Sequence, residues 1–261
     1  MSALDLHFDE TGDGPPVLVL HGLFGMGRNW AGIARDLAGV GRRVLTVDLR
    51  NHGDSPWADA MDYAVMADDV ARLIDAQARG RADVIGHSMG GKTAMALACQ
   101  SPDRIARLCV VDIAPVPYDH DFEPHLEAMA NLDTASLARR AEAEAALLDA
   151  VGDVHLAQFL SRNLKPAAHG AGFEWRINVA GIAANIDNLL DFPVYEADQA
   201  FDGPALFLSG GLSDYVQAYH QAEIERLFPN AETAIVDGAG HWVHADKPAE
   251  VTAALAGFLA G

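Results

Sequence analysis

Short apolar runs alternate with amphipathic stretches along most of this chain, which restricts it to a mostly parallel α/β sheet flanked by helices. Strands are expected at residues 17–20, 43–47, 83–86, 108–112, 205–209 and 233–236. Residues 64–78 put Met66, Val70, Leu73, Ile74 and Gln77 on one stripe, with Asp68, Asp69, Arg72 and Asp75 elsewhere, as a surface helix covering a sheet requires. Further helices are expected at 30–38 and 93–99, and beyond Pro248, where Val251, Leu255, Phe258 and Leu259 recur at helical spacing. At 261 residues, half of them hydrophobic, the chain suits one large α/β domain carrying an insertion.

The insertion is visible as a break in the alternation. Residues 116–200 carry helical patterns at 134–151 and 154–163 but no convincing strand run, and Pro166, Gly170, Gly172 and Pro193 punctuate them. This stretch is expected to form a mainly helical cap over the carboxyl edge of the sheet, leaving 1–115 and 201–261 as the core. Phe122, Tyr118, Phe159 and Trp175 are its candidate apolar contacts with a substrate, although most aromatics in a helical insertion form its own core.

Three small-residue loops carry the chemistry. Gly86-His87-Ser88-Met89-Gly90-Gly91 follows an apolar strand and opens a helical run. A serine between those glycines must take a strained backbone conformation at a sharp strand-to-helix turn, which lifts its hydroxyl clear of the sheet. The Met89 amide, at the helix N-terminus, then faces any anion that forms on the substrate. Gly-rich turns that open helices also bind phosphate, and that is the rival reading of this loop. The second loop, His21-Gly22-Leu23-Phe24-Gly25, follows the first strand, where glycines let the Leu23 amide approach as a second oxyanion donor. Phe24 is placed to line the acyl pocket. The third, Gly238-Ala239-Gly240-His241-Trp242, lies beyond the last strand, where His241 is positioned to take the serine proton. His244 reads as structural or surface.

An imidazole base needs a carboxylate to orient it, and two aspartates follow strands nearby: Asp112, and Asp214 in Gly210-Gly211-Leu212-Ser213-Asp214. The segment from Asp48 to Ser55 is expected to form a hydrogen-bonded turn supporting the loop of Leu23 and Phe24, and Lys92 to pair with an acidic neighbour.

Taken with Asp112-Ile113-Ala114-Pro115 and Asp48-Leu49-Arg50-Asn51-His52-Gly53-Asp54-Ser55, these motifs resemble those of the α/β-hydrolase superfamily and, within it, the YbfF-type esterases. The resemblance spans nearly the whole chain outside the insertion. It implies a serine esterase acting on short-chain or thioester substrates, with Ser88, His241 and Asp112 as catalytic residues. In other α/β-hydrolases the acid would fall at Ser213, one residue before Asp214. Rival readings are a thioesterase or carbon–carbon hydrolase with the same residues, or a non-catalytic receptor using the pocket.

Acidic residues outnumber basic ones 37 to 18, a formal charge of −19 with histidine neutral. Without a Lys/Arg cluster the chain is unsuited to nucleic acid or to anionic membranes. The expected partner is a small-molecule ester or thioester, and the chemistry requires no metal or organic cofactor. Residues 1–10 carry no basic stretch followed by an apolar core, and no apolar run approaches the roughly 20 residues that span a bilayer, so a cytoplasmic location is expected. Cys99 and Cys109 lack a His or Cys at ligand spacing and read as buried small hydrophobes.

Overall fold

The computed structural model describes residues 3–261. Its main sheet uses strands β1 (Phe8–Thr11), β2 (Pro16–Leu20), β3 (Arg43–Val47), β4 (Ala82–His87) and β5 (Ile105–Val111), with β6 (Leu164–Pro166) and β7 (Phe173–Trp175) set apart as a hairpin, and then β8 (Ala205–Gly210) and β9 (Ala231–Val236). The seven-stranded order is β1-β3-β2-β4-β5-β8-β9; β1 runs antiparallel to β3 and every other pairing is parallel.

Central strands read as unbroken apolar runs because both of their faces are covered. In β2, Val17 and Val19 enter one hydrophobic cluster and Leu18 and Leu20 the other, all four fully buried. The first cluster is completed by α1 (Ala31–Gly39) through Ile33 and Leu37; the opposite cluster takes α2 (Tyr63–Gln77) through Met66, Val70 and Ile74, and α3 (Met89–Gln100) through Met95 and Leu97. Asp62 caps α2 by accepting from the Val65 amide at 2.9 Å, which starts this helix one residue before the expected span. β1 escapes the sequence pattern because Phe8-Asp9-Glu10-Thr11 is a short, acidic edge strand that needs only one paired side.

Between β5 and β8 lie α4 (Glu123–Asn131), α5 (Arg140–Val151), α6 (Val154–Ser161), the β6–β7 hairpin, α7 (Val179–Ala183) and α8 (Ile186–Leu190). Two expectations are corrected here. The helix expected from 134 begins only at Arg140, because the Thr134 carbonyl accepts from the Phe173 amide at 2.8 Å. A hairpin also occurs where no strand was expected; its three-residue strands are too short to show a period, and Gly170 and Gly172, at φ +90° and +92°, turn the chain between them. These elements rest on loops that follow core strands and on α2: Asn163 Nδ2 donates to the Phe24 carbonyl at 2.8 Å, the Asn178 amide to that of Asn51 at 2.9 Å, and Tyr63 Oη of α2 to that of Leu189 at 2.6 Å.

After β8 the chain forms α9 (Gln221–Leu227), and after β9 it forms α10 (Val243–Asp246) and α11 (Pro248–Ala260); α11 packs beside α1. No helix among the described residues is long and apolar enough to cross a membrane. One buried ion pair ties the turn after β3 to α2: Asp69 accepts from Arg50 Nε at 2.7 Å and Nη2 at 2.8 Å, and from the Leu4 amide at 2.6 Å. Removing one partner strands the other charge in the interior. Asp69→Ala is therefore expected to lower the unfolding free energy by about 3–5 kcal/mol, read from urea denaturation.

Candidate active site

Ser88 stands alone between β4 and α3, at φ 51° and ψ −120°, a backbone strain of about 1–3 kcal/mol that only a well-determined surrounding holds in place. Close packing of glycine makes the turn possible. A Cβ at Gly86 would lie 2.2 Å from the Gly90 carbonyl oxygen, and one at Gly90 would lie 2.5 Å from that of Leu20. The Ser88 amide is held by the Val111 carbonyl at 3.1 Å, so the half-buried hydroxyl projects from the end of the sheet.

His241 arrives from the loop after β9. Its Nε2 lies 3.1 Å from Ser88 Oγ, and its Nδ1 lies 2.8 Å from Asp112 Oδ2. Asp112 follows β5, is fully buried, and also accepts from the Gly210 amide at 2.9 Å and the Ser213 hydroxyl at 2.5 Å. Three donors converge on one carboxylate. Asp214 is exposed and makes none of these contacts. With Nδ1–H donated to the carboxylate, Nε2 is free to accept the serine proton.

Other imidazoles crowd the same space, and burial keeps them uncharged. Desolvation pushes His21 down to about 4, His52 to about 3 and His244 to about 4, with His87 also held well below its ordinary value. His21 and His52 each use Nδ1–H on a carbonyl while Nε2 accepts from an amide, Leu49 at 3.0 Å and Phe24 at 3.3 Å. They brace loops. Asp48 does the same, accepting from the amides of Gly27 at 2.7 Å and Asp54 at 2.9 Å, so this turn supports the loop of Leu23 and Phe24. His244 stacks on Trp30, centroids 4.3 Å apart. His7, Asp48 and Asp54 are the described residues whose ligand atoms converge closely enough for a metal, although Asp54 is already paired with Arg176 at 2.8 Å.

Sequence reading overlooked Tyr215. Its ring lies flat on the His241 imidazole, centroids 3.7 Å apart and planes 14° from parallel, while its other neighbour in near-parallel contact is His120 at 4.5 Å. Tyr118 Oη fixes this residue by donating to the Tyr215 carbonyl at 2.5 Å, and itself accepts from the Ala114 amide at 2.9 Å. The only sequence signal was an aromatic directly after Ser213-Asp214, and stacking partners from other loops leave no local pattern.

Two cavities meet at Ser88. The larger, about 210 Å³, is bounded by Leu23, Phe24, Phe122, Phe159, Tyr215 and Trp242; the smaller, about 30 Å³, by Met89, Lys92, Ile113, Tyr118 and Leu190. The amides of Leu23 and of Met89, the first residue of α3, have no hydrogen-bond partner among the described residues, and both residues line the smaller cavity with Ser88. Phe24, at φ 60°, lines the larger cavity. Trp175 borders neither, since β7 places it opposite Leu164, packed on the apolar core. The carboxylate partner expected for Lys92 is absent as well: its buried ammonium donates to the Leu190 and Asp191 carbonyls at 2.9 and 2.8 Å, and desolvation pushes it down to about 7.

Comparison with known proteins follows the same lines. A family model described as the alpha/beta hydrolase fold matches residues 15–248. The chain is 39% identical to esterase YbfF of Escherichia coli over 94% of its own length and 92% of that protein. It is 41% identical to the sn-1-specific diacylglycerol lipase ABHD11 of Xenopus laevis, over 97% of this chain and 82% of the relative. A solved marine microorganism esterase superposes with a TM-score of 0.93 at 37% identity, covering 98% of this chain and 100% of that one. The chain belongs to the α/β-hydrolase family, among its esterase- and lipase-type hydrolases, and resembles YbfF.

Proposed function

We propose that this protein is a serine esterase that hydrolyses small carboxylic esters through an acyl-enzyme. The observation that carries this reading is the chain of contacts from the Ser88 hydroxyl to His241 at 3.1 Å and on to Asp112 at 2.8 Å. Ser88 Oγ attacks the ester carbonyl while its proton passes to His241 Nε2. The alcohol leaves with that proton as the ester C–O bond breaks. Water then attacks the acyl-enzyme, gives a proton to His241, and the acid departs as Ser88 Oγ regains it. Asp112 orients the imidazole and stabilises its charged form, and the amides of Leu23 and Met89 hold the oxyanion, each donor contributing on the order of 3 kcal/mol.

The insertion acts as a cap that walls both cavities, and the cytoplasm is the proposed location, supported by two buried free cysteines. The lipase activity named for the Xenopus relative extends the same chemistry to acylglycerols, whose chains exceed the small cavity beside Met89. A fluorophosphonate probe tests the assignment: one equivalent is expected to bond to Ser88, found by peptide mass spectrometry, with loss of p-nitrophenyl acetate turnover in proportion. Labelling at another residue, or full labelling with turnover intact, would overturn it.

A further inference from the structure

The smaller cavity beside Ser88 has a size that bears on acyl length. At about 30 Å³ it holds roughly two waters, the size of an acetyl group. Beyond it lies a groove of about 690 Å³ between α4 and α7–α8, lined by Leu126, Ala130, Val179, Ala180, Ala183 and Ile186. His120, Phe122 and Leu190 line both spaces. These three residues form the partition between them.

Its three members are held unequally. The backbone of Leu190 is pinned, since its carbonyl accepts from Lys92 Nζ and from the Tyr118 amide, both at 2.9 Å. His120 is stacked on Tyr215 at 4.5 Å and on Tyr118 at 5.4 Å. Phe122 makes only edge-on or tilted ring contacts, at 6.0–6.2 Å, with Phe24, His120 and His125. It is half-buried and stands at the end of a helix- and strand-free segment, just before α4. Phe122 packs on the edge of the apolar core without a stacked ring partner, so of the two rings in the partition it is the less constrained.

The groove is suited to one kind of occupant. Ala130, Ala180 and Ala183 are exposed and leave its floor unfilled, and its charged lining residues, Asp121, Glu123, Glu127 and Asp187, are all acidic. Such a rim repels a carboxylate or phosphate, and the apolar floor of Leu126, Val179 and Ile186 suits an uncharged hydrocarbon chain. Its volume falls in the usual range for small-molecule sites.

Building on the esterase reading, we propose that Phe122 is the specificity-determining gate between the nucleophile cavity and this groove, and that the groove takes the distal part of a long acyl chain. Esters with short acyl groups react with the partition closed; longer chains displace the Phe122 ring and lie between α4 and α7.

The test compares kcat/KM for p-nitrophenyl decanoate and p-nitrophenyl acetate on the purified protein. Phe122→Ala is expected to raise the decanoate-to-acetate ratio at least tenfold, and Ala183→Trp, which fills the groove from an exposed site, to lower it at least tenfold. Ala180→Trp, on the same floor, repeats the second measurement should the first variant fold poorly. A ratio within threefold of wild type in these variants would overturn the gate, as would a wild-type protein that hydrolyses acetate but not decanoate. Absence of turnover on both esters would instead remove the esterase reading itself, so the two failures are separable.

Discussion

Ser88→Ala is expected to reduce kcat on p-nitrophenyl acetate by about 10⁶-fold without loss of the fold. The change removes one oxygen at a half-buried position and leaves the positive-φ turn to a residue of similar backbone demand. Gly86, Gly90 and the Val111 carbonyl still hold the turn, so the melting temperature is expected to stay within a few degrees of wild type. His241 loses its hydroxyl partner and retains Asp112. Turnover in the purified variant, checked by a melting curve and by its failure to react with fluorophosphonate, is the decisive measurement. Activity within tenfold of wild type would remove Ser88 from the mechanism.

The next largest effect is expected at Asp112. Asp112→Asn places an amide where the carboxylate accepts from His241 Nδ1, Ser213 and the Gly210 amide, and it favours the imidazole tautomer whose Nε2 carries the proton. That tautomer has no lone pair for the serine proton. A fall in kcat of about 10⁴-fold follows, the size seen when a buried orienting carboxylate is neutralised with its geometry intact. Asp214→Asn is the matched control: Asp214 is exposed and does not contact His241, so its replacement is expected to change kcat less than about threefold. Parallel kinetics on the two variants decide between the carboxylates, and a large loss confined to Asp214→Asn would make Asp112 structural.

How legible each part was depends on whether its cause is local. β2, β4 and β8 were readable because strands covered on both faces must be apolar throughout. The turn at Ser88 was readable because steric crowding around Gly86 and Gly90 admits no side chain, which leaves a fixed spacing in the chain. β1 and the β6–β7 hairpin were hidden. The first is an acidic edge strand, and the second has strands of three residues, too short for a period of two to register. Lys92 looked like half of an ion pair, yet its partners are carbonyls at the end of α8, nearly 100 residues away and silent in side-chain chemistry.

The linear order of residues by itself determined the layered α/β architecture and the three small-residue loops that carry Ser88, His241 and the Leu23 amide. Hydrophobic period and backbone sterics act over a few residues, so they are written where they act. Only the tertiary structure decided which carboxylate reaches His241, that Tyr215 covers that imidazole, and that Phe122 rather than Trp175 borders the cavities at Ser88. Those outcomes depend on contacts between residues 26 to 129 positions apart, and such contacts are set by how whole elements pack, not by any short stretch of sequence.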